Sequence, residues 1–397
     1  MKKILLTVLT LCLLQSAVPA QTTNLTFLYI NGSNNNDTKM KNWYINGVKK
    51  LHPVLKEKFE QNPDIKAWAE KNSLIIEEEP QIFFWGYDSK TDLDFVKERL
   101  NLSKAISSLL AYEIRSLLTQ FMHDAIWVQK THNMLPILDE LNDRIKEQAN
   151  NGQNVILYGY SAGSFVTYQY MLYKLPYIKF DKLFTALNAD EDIIQLAHEH
   201  PQKDTCLSAL SYEKGNIGVI TNQGHLVLNQ NKEQLKQNYL KMNEITDKYC
   251  APKGYVRGVV NFASPVPLFY SDMADPDYEM TFYNKYLYKY IIENGIYFLT
   301  VNFREDPLGF PTSDNLTLKE IENLADIKFE NPTGVVYDNS GVWSKRPAIF
   351  AHTSYWSARK TFAKSVVKSF INGTKFYYDK NYQNKELDKK EKKSEVL

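Results

Sequence analysis

Short apolar runs alternate with longer amphipathic stretches along the first half of the chain. The apolar runs of strand length are residues 25–30, 74–76, 81–85 and 154–158. Apolar residues recur at helical spacing in residues 51–69, 105–128 and 134–149. Because consecutive strands are joined through helices, this order predicts βαβ units in an α/β fold. We therefore expect a mostly parallel central sheet with helices on both faces.

The second half of the chain resumes this alternation after a long interruption. Further strands are predicted at residues 255–262, 295–301 and 348–350. A closing helix is predicted over residues 357–371, with Gly373 as its stop signal. Residues 176–254 interrupt the pattern, carry weak strand signals and are too long for a simple loop. We interpret them as a mostly helical insertion, which either covers the preceding strand–helix turn as a cap or projects away from it.

Both ends of the chain lie outside this domain, which spans residues 21–380. Lys2 and Lys3 precede an apolar segment, and small residues around Ala20 suit cleavage, so residues 1–20 are predicted to be a signal peptide. An uncleaved membrane anchor is the alternative, although the apolar segment is too short to span a bilayer. We expect a periplasmic or secreted protein. Residues 381–397 form a charged run without a core-forming pattern, which predicts a disordered tail.

The most informative stretch is the turn after the fourth apolar run. Gly159-Tyr160-Ser161-Ala162-Gly163 is a G-x-S-x-G sequence between a predicted strand and a predicted helix, the context of a nucleophile elbow. Such a turn strains the serine backbone, and small flanking residues let strand and helix approach. The Ala162 N–H, at the start of the helix, would point towards a developing oxyanion. A tight turn with an unreactive serine is the alternative interpretation.

A serine nucleophile needs a base within hydrogen-bond reach and an acid that orients the base. His352 directly follows the last predicted strand, and Asp306 follows the strand before it. Serine, acid and base then follow successive strands of one parallel sheet, so we predict a catalytic triad of Ser161, Asp306 and His352. Glu305 is the adjacent alternative acid. A solvated loop after the preceding predicted strand carries further candidates: Asp272, Asp275 and Asp277. The other histidines precede the serine or lie in the insertion: His52, His123, His132, His198, His200 and His225.

The first predicted strand ends abruptly at Asn31-Gly32-Ser33, in a loop rich in glycine and asparagine. This loop precedes the elbow in the order of predicted strands and helices. In a serine hydrolase, a loop at this position supplies the second backbone N–H that binds the oxyanion. We therefore assign this role to the backbone at Asn31 and Gly32, together with Ala162. An ordinary polar turn is the alternative.

Four short motifs resemble those of the α/β-hydrolase superfamily, and among its members the lipase-like esterases, including the class 3 lipases. They are the elbow, residues 261–265 (NFASP) after the next strand, Asp306-Pro307, and His352 followed by Tyr355-Trp356. The resemblance covers residues 27–371 without the insertion. It implies an α/β-hydrolase fold with an inserted cap. It also implies hydrolysis of carboxylic esters through an acyl-serine intermediate.

Two positions depart from the lipase pattern. Tyr160 stands before the serine, where those lipases more often have histidine, and the oxyanion loop begins Asn31-Gly32 rather than His-Gly. Both positions act mainly through their backbone, so the departures concern the substrate more than the chemistry. A thioesterase, acyltransferase or peptidase on the same triad is the alternative within enzymes. A non-catalytic binding protein on a hydrolase fold is the alternative outside them.

The composition of the chain limits the classes of molecule that it is expected to bind. The 397 residues carry a formal net charge of +1, so no basic field suggests nucleic acid. No Cys/His cluster has zinc spacing, and we expect no metal and no cofactor. The expected partner is a small-molecule or lipid ester. Peripheral membrane contact through the aromatic stretch 287–290 is a further possibility.

Two cysteines remain after the predicted signal peptide: Cys206 and Cys250. Export to an oxidising compartment predicts that they pair in a disulfide. Closing a loop of about 44 residues would contribute about 4 kcal/mol in the chain-entropy model. Two unrelated buried thiols are the alternative.

Overall fold

The computed structural model describes residues 23–33, 38–85, 94–96, 98–99, 123–124, 126–211, 217–220, 226–269, 280–311 and 334–378. The predicted signal peptide (1–20) and charged tail (381–397) lie outside these residues. So do most of the helix predicted over 105–128, the three aspartates of the 270–279 segment, and His225.

A seven-stranded sheet forms the centre of the described chain, and every strand pairing in it is parallel. Its strands are β1 (Thr23–Ile30), β2 (Leu74–Ile76), β3 (Gln81–Phe83), β4 (Asn154–Tyr160), β7 (Val256–Phe262), β8 (Tyr297–Phe303) and β9 (Val335–Val342). The strand order is β2-β1-β4-β7-β8-β9. One edge of β1 pairs with β4, and its other edge pairs first with β2 and then, further along β1, with β3. A separate antiparallel hairpin joins β5 (Gly218–Ile220) and β6 (Leu226–Leu228). The predicted α/β class with a mostly parallel sheet is confirmed.

Helices surround the sheet. They are α1 (Thr38–Gln61), α2 (Pro63–Lys71), α3 (Thr131–Asn150), α4 (Ala162–Lys174), α5 (Phe180–Ala186), α6 (Glu191–Glu199), α7 (Leu207–Ser211), α8 (Lys232–Leu240), α9 (Met242–Tyr249), α10 (Val266–Phe269), α11 (Met280–Glu293), α12 (Ala348–Ala351) and α13 (Arg359–Tyr378). All seven residues of β4 are buried. Because successive side chains of a strand point to opposite faces, helices must cover both faces of the sheet here.

The helix predicted over residues 51–69 is two helices. Helix α1 begins earlier, at Thr38, and ends at Gln61, and α2 starts at Pro63. The Asn62 side chain accepts hydrogen bonds from the N–H groups of Asp64 and Ile65, both at 3.1 Å. An asparagine N-cap followed by proline at the first helical position is a start signal, and it overrides the continuous apolar period.

Near the end of the chain one predicted strand is wrong and one strand was missed. Residues 348–350 lie in the short helix α12, not in a strand, and Pro347 precedes that helix as its N-cap residue. The last strand is β9, where only Val335 and Val336 are buried. Its polar second half hid it from the sequence pattern, because an edge strand needs little apolar surface.

Gly373 does not stop the closing helix, since α13 continues to Tyr378. A Cβ atom at this position would lie 2.6 Å from Cγ2 of Val335. The glycine therefore permits close contact between α13 and β9, which is a packing role that resembles a stop signal in the sequence.

The insertion comprises α5 to α9 and the β5–β6 hairpin among the described residues. Cys206 and Cys250 form a disulfide bond within it, with Cα atoms 5.7 Å apart. Its end is tied to the C-terminal end of α4, where the Ala251 N–H donates to the Lys174 carbonyl at 2.7 Å. This anchor lies about 20 Å from the N-terminus of the 13-residue helix α4. The cap role of the insertion stays a prediction.

The aromatic stretch 287–290 lies on α11 with Leu287, Tyr288 and Tyr290 buried. These three side chains therefore offer little surface to a membrane, and peripheral membrane contact stays a prediction. Among the described helices, none is both long enough and apolar enough to cross a membrane.

Candidate active site

Ser161 lies at the turn between β4 and α4 with a strained backbone. Its φ and ψ are 52° and −126°, although positive φ is unusual for a residue with a side chain. The turn is tied to the next strand, because the Ser161 N–H donates to the Phe262 carbonyl at 3.0 Å. Such strain persists only where the surrounding structure holds it, and here it sets the serine at the carboxyl edge of the sheet.

The two glycines of the turn are required by close packing. A Cβ atom at Gly159 would lie 2.7 Å from the Cα of Ser164 and from Oγ1 of Thr167. A Cβ atom at Gly163 would lie 2.5 Å from the Ile30 carbonyl oxygen. Both contacts are closer than side-chain carbons tolerate, so the sequence G-x-S-x-G is what allows α4 to start beside β1.

The structure brings the three predicted triad residues together. His352 Nε2 lies 3.0 Å from Ser161 Oγ, and His352 Nδ1 lies 3.0 Å and 3.2 Å from the two carboxylate oxygens of Asp306. A carboxylate can only accept, so Nδ1 carries the proton and Nε2 is free to accept the serine proton. Ser161 is 2% exposed, and the side chains of His352 and Asp306 are 13% and 0% exposed.

The buried Asp306 carboxylate receives two further hydrogen bonds. The Leu308 N–H donates to Oδ1 and the Tyr355 hydroxyl donates to Oδ2, each at 2.9 Å. Tyr355 is itself held by the Phe303 N–H, which donates to its hydroxyl at 2.9 Å. Burial, and next the negative charge of Asp306, raise the pKa of Tyr355, so its hydroxyl stays a donor at neutral pH. The sequence placed Tyr355 in a motif but gave it no role.

The backbone of His352 is also held by a hydrogen bond from Tyr160. The Tyr160 hydroxyl donates to the His352 carbonyl at 2.9 Å, and the two rings lie 5.6 Å apart. The Trp356 ring also packs against Tyr160, with the ring centroids 5.1 Å apart. Trp356 in turn leaves no room for a side chain at Gly47, where a Cβ would lie 2.7 Å from the indole. Tyr160 thus fixes the backbone position of His352.

Of the two predicted oxyanion-loop residues, Gly32 lies beside the serine. A Cβ atom at Gly32 would lie 2.9 Å from the Cβ of Ser161. The backbone N–H of Asn31 donates instead to the Phe83 carbonyl, at 3.4 Å, and its carbonyl accepts from the Trp85 indole at 2.6 Å. Ala162 occupies the first position of α4, where the N–H has no partner within the helix. The geometry therefore favours Gly32 and Ala162 over Asn31 as oxyanion donors.

The NFASP motif lies beneath the elbow. Ser164 Oγ donates to Ser264 Oγ at 3.0 Å, and the Ser264 N–H donates to Asn302 Oδ1 at 3.0 Å. Thr167 donates to the side chain of Asn261. These bonds link α4, the end of β7 and the end of β8, so the motif holds the turn rather than contributing to the triad.

The alternative acid and the alternative bases take other roles. Glu305 accepts from the N–H groups of Ser344 and Lys345, both at 2.9 Å, and so shapes the segment before His352. His52 is buried between Tyr29 and the Glu77 carbonyl. His123 contacts Asp124 at 3.3 Å, and the remaining described histidines are exposed: His132, His198 and His200.

In the described part of the chain, no group of three or more His, Cys, Asp or Glu side chains is arranged to hold a metal ion. No family model and no curated protein matches the sequence.

Proposed function

We propose that this chain is a serine hydrolase of the α/β-hydrolase type that cleaves carboxylic esters through an acyl-serine intermediate. One observation carries the proposal: a single imidazole lies at 3.0 Å from both the Ser161 hydroxyl and the Asp306 carboxylate. The serine is also held on a positive-φ turn at a helix N-terminus. A structural serine needs neither the strain nor the oriented base.

The first half-reaction uses each group in turn. His352 Nε2 takes the Ser161 proton as Oγ attacks the ester carbonyl, and the carbonyl oxygen becomes an oxyanion. The N–H groups of Ala162 and Gly32 would stabilise that charge, helped by the positive end of the α4 dipole. The imidazolium is stabilised by Asp306 and returns its proton to the alcohol oxygen. The C–O bond then breaks, the alcohol leaves, and an acyl-serine remains.

The second half-reaction repeats the same steps with water. His352 takes a proton from water, whose oxygen attacks the acyl carbonyl. The tetrahedral intermediate collapses, Ser161 Oγ regains the proton, and a carboxylic acid is released. Hydrolysis of a thioester or an amide, or transfer of the acyl group to an acceptor other than water, would involve the same side chains. Comparing turnover of different substrates therefore distinguishes these reactions.

Two exposed aromatic residues in the segment that leads to His352 favour an apolar ester. Trp343 is 56% exposed and Phe350 is 62% exposed, and both belong to the segment that leads from β9 to His352. Arg304 packs over the Trp343 ring at 4.7 Å. Exposed apolar side chains are typical of a surface that receives an apolar ligand or a lipid.

The test is covalent labelling with a fluorophosphonate probe together with turnover of a short p-nitrophenyl ester. We expect the label on Ser161 by peptide mass mapping, with ester turnover in the same preparation. Ser161→Ala should lose the label and lower turnover about 10⁴-fold or more, while His352→Gln should slow both. A p-nitrophenyl thioester and a peptide amide, run alongside, identify the preferred leaving group.

Ser365→Ala is the matched control, because Ser365 is a buried serine on α13 that donates to the Thr361 carbonyl. It should keep both labelling and turnover. A folded wild-type protein that neither labels nor turns over any of these substrates would contradict the proposal and favour a binding protein on this fold.

A further inference from the structure

A second concave site lies between the insertion and α11. It is a cavity of about 260 Å³ lined on the insertion side by Tyr177, Lys179, Lys182, Asp204 and Lys253. Its other wall is the C-terminal half of α11 and the residue after it: Tyr286, Lys289, Tyr290, Glu293 and Asn294. None of the triad residues lines it. It lies near the C-terminal end of α4, since the Tyr177 hydroxyl donates to the Leu172 carbonyl at 2.9 Å.

The insertion wall of this cavity is rigidly built. Ile178 and Thr205 form an antiparallel bridge with N–H to carbonyl distances of 2.9 Å and 2.8 Å. Because side chains alternate along extended backbone, Tyr177 and Lys179 point to the same side. The Cys206–Cys250 disulfide joins the segments that carry Asp204 and Lys253. The wall is therefore preorganised rather than formed by a loose loop.

Positive charge is in excess around the cavity. Four lysines line it against two carboxylates, Asp204 and Glu293. The ion pairs between them are long, at 4.0 Å for Lys253 with Asp204 and 3.8 Å for Lys289 with Glu293. Lys182 lies 3.9 Å from Asp181 outside the cavity. In a near-neutral chain, this local excess of ammonium groups favours an anion.

Tyr290 supplies a second, independent indication of a ligand. It lines the cavity, is only 6% exposed, and its hydroxyl has no hydrogen-bond partner among the described residues. Burial, and next the charge of Asp204, raise the pKa of this hydroxyl, so it is an unused donor at neutral pH. Because Tyr290 lines the cavity, its hydroxyl can donate a hydrogen bond to an acceptor bound there.

We propose that this cavity binds a compact anion of the phosphate or sulfate class, either as the free ion or as the charged group of a small organic monoester. Lysine ammonium groups act as point-charge donors to such oxygens, and the Tyr290 hydroxyl would donate one more hydrogen bond. The volume holds such an anion together with several waters. This site is separate from the proposed ester hydrolysis and does not depend on it.

Isothermal titration of the full mature protein with inorganic phosphate tests the site, in chloride buffer of constant ionic strength. Saturable binding is expected, with sulfate competing. Lys253→Met with Lys289→Met should weaken binding at least tenfold. Tyr290→Phe should weaken it about threefold to tenfold, the range expected for one lost hydrogen bond. Glycerol 3-phosphate in a parallel titration separates the two ligand sources: tighter binding than phosphate would identify an organic monoester.

Lys364→Met with Lys368→Met is the matched control, since both are exposed lysines on α13 outside the cavity. It should bind like the wild type, and so should Ser161→Ala, which keeps this test independent of the triad. Far-ultraviolet circular dichroism and melting in chloride verify that each variant is folded. Linear, non-saturating heats in the wild type, or equal weakening in the two lysine pairs, would overturn the proposal.

Discussion

At the scale of single residues, His352 in the candidate site is backed by a series of hydrogen bonds through Asp306 and Tyr355. Asp306 is fully buried in its side chain, so each hydrogen bond it accepts matters more than one in water. Tyr355 is one of these donors, and the backbone of β8 holds its hydroxyl in turn. Tyr355 therefore positions Asp306 and, through it, the imidazole of His352.

The change Tyr355→Phe should lower kcat about 10- to 100-fold and leave KM almost unchanged, because the substrate does not contact this hydroxyl. Steady-state kinetics with the p-nitrophenyl ester measure both values. Tyr239→Phe is the control, since that hydroxyl also donates one bond, to the His200 carbonyl at 2.9 Å, but in the insertion. Equal kcat values for Tyr355→Phe and the wild type would show that Asp306 needs no help from Tyr355.

At the scale of elements, the packing of α13 on the edge strand β9 determines which residue is tolerated at Gly373. Gly373 is inside the helix, where glycine costs about 1 kcal/mol relative to alanine. The close approach to Val335 explains why the helix tolerates it. Helix propensity and tertiary packing therefore act in opposite directions at this position.

We expect Gly373→Ala to destabilise the protein by about 1–3 kcal/mol, since the added methyl group overlaps Val335 and overpacking exceeds the gain in propensity. Urea unfolding measures the difference. Gly341→Ala is the control. Gly341 lies on β9, like Val335, and a Cβ atom there would have no atom within 4 Å. It should change the free energy of unfolding by less than about 0.5 kcal/mol. A stabilised Gly373→Ala variant would mean that propensity dominates.

At the scale of the whole molecule, stability should depend on pH through a buried histidine. His52 joins α1 to the sheet, with Nδ1 3.3 Å from the Tyr29 hydroxyl and Nε2 3.1 Å from the Glu77 carbonyl. Burial lowers the pKa of His52, and the carbonyl bond opposes this shift only in part. The folded protein therefore holds His52 neutral at pH values where the unfolded chain, with a histidine pKa of about 6.5, takes up a proton.

The free energy of unfolding should fall as pH decreases below about 6.5, because the unfolded state then binds more protons than the folded state. Thermal melts between pH 7.5 and pH 5 measure the loss. His52→Gln should melt lower at every pH but show a smaller decrease across this range. His198→Gln, at an exposed position, should follow the wild-type curve. An identical pH slope in His52→Gln would exclude His52 as the source.

Local patterns in the sequence determined those features of the candidate site that depend on short segments. The apolar run of β4, the two glycines and the following helix predict the strained serine turn, because each is a property of about ten adjacent residues. Asp306 follows from its place just after β8. The strand predicted directly before His352 is instead helix α12, so only the order of the three residues along the chain indicated this histidine correctly. The prediction of a parallel sheet has the same basis, since strands joined through helices have few alternatives.

Only the tertiary structure decided contacts between distant segments. The roles of Tyr355, Tyr160 and Gly32 depend on which side chains meet across strand ends, and no periodicity records that. The edge strand β9 escaped detection because its residues 338–341 (DNSG) carry no apolar side chain. Residues 348–350 were mistaken for a strand because three apolar residues fit either element. The cavity beside α11 is formed where α11 meets separate parts of the insertion, around residues 177–182, 204 and 253, so its lysines are scattered in the sequence.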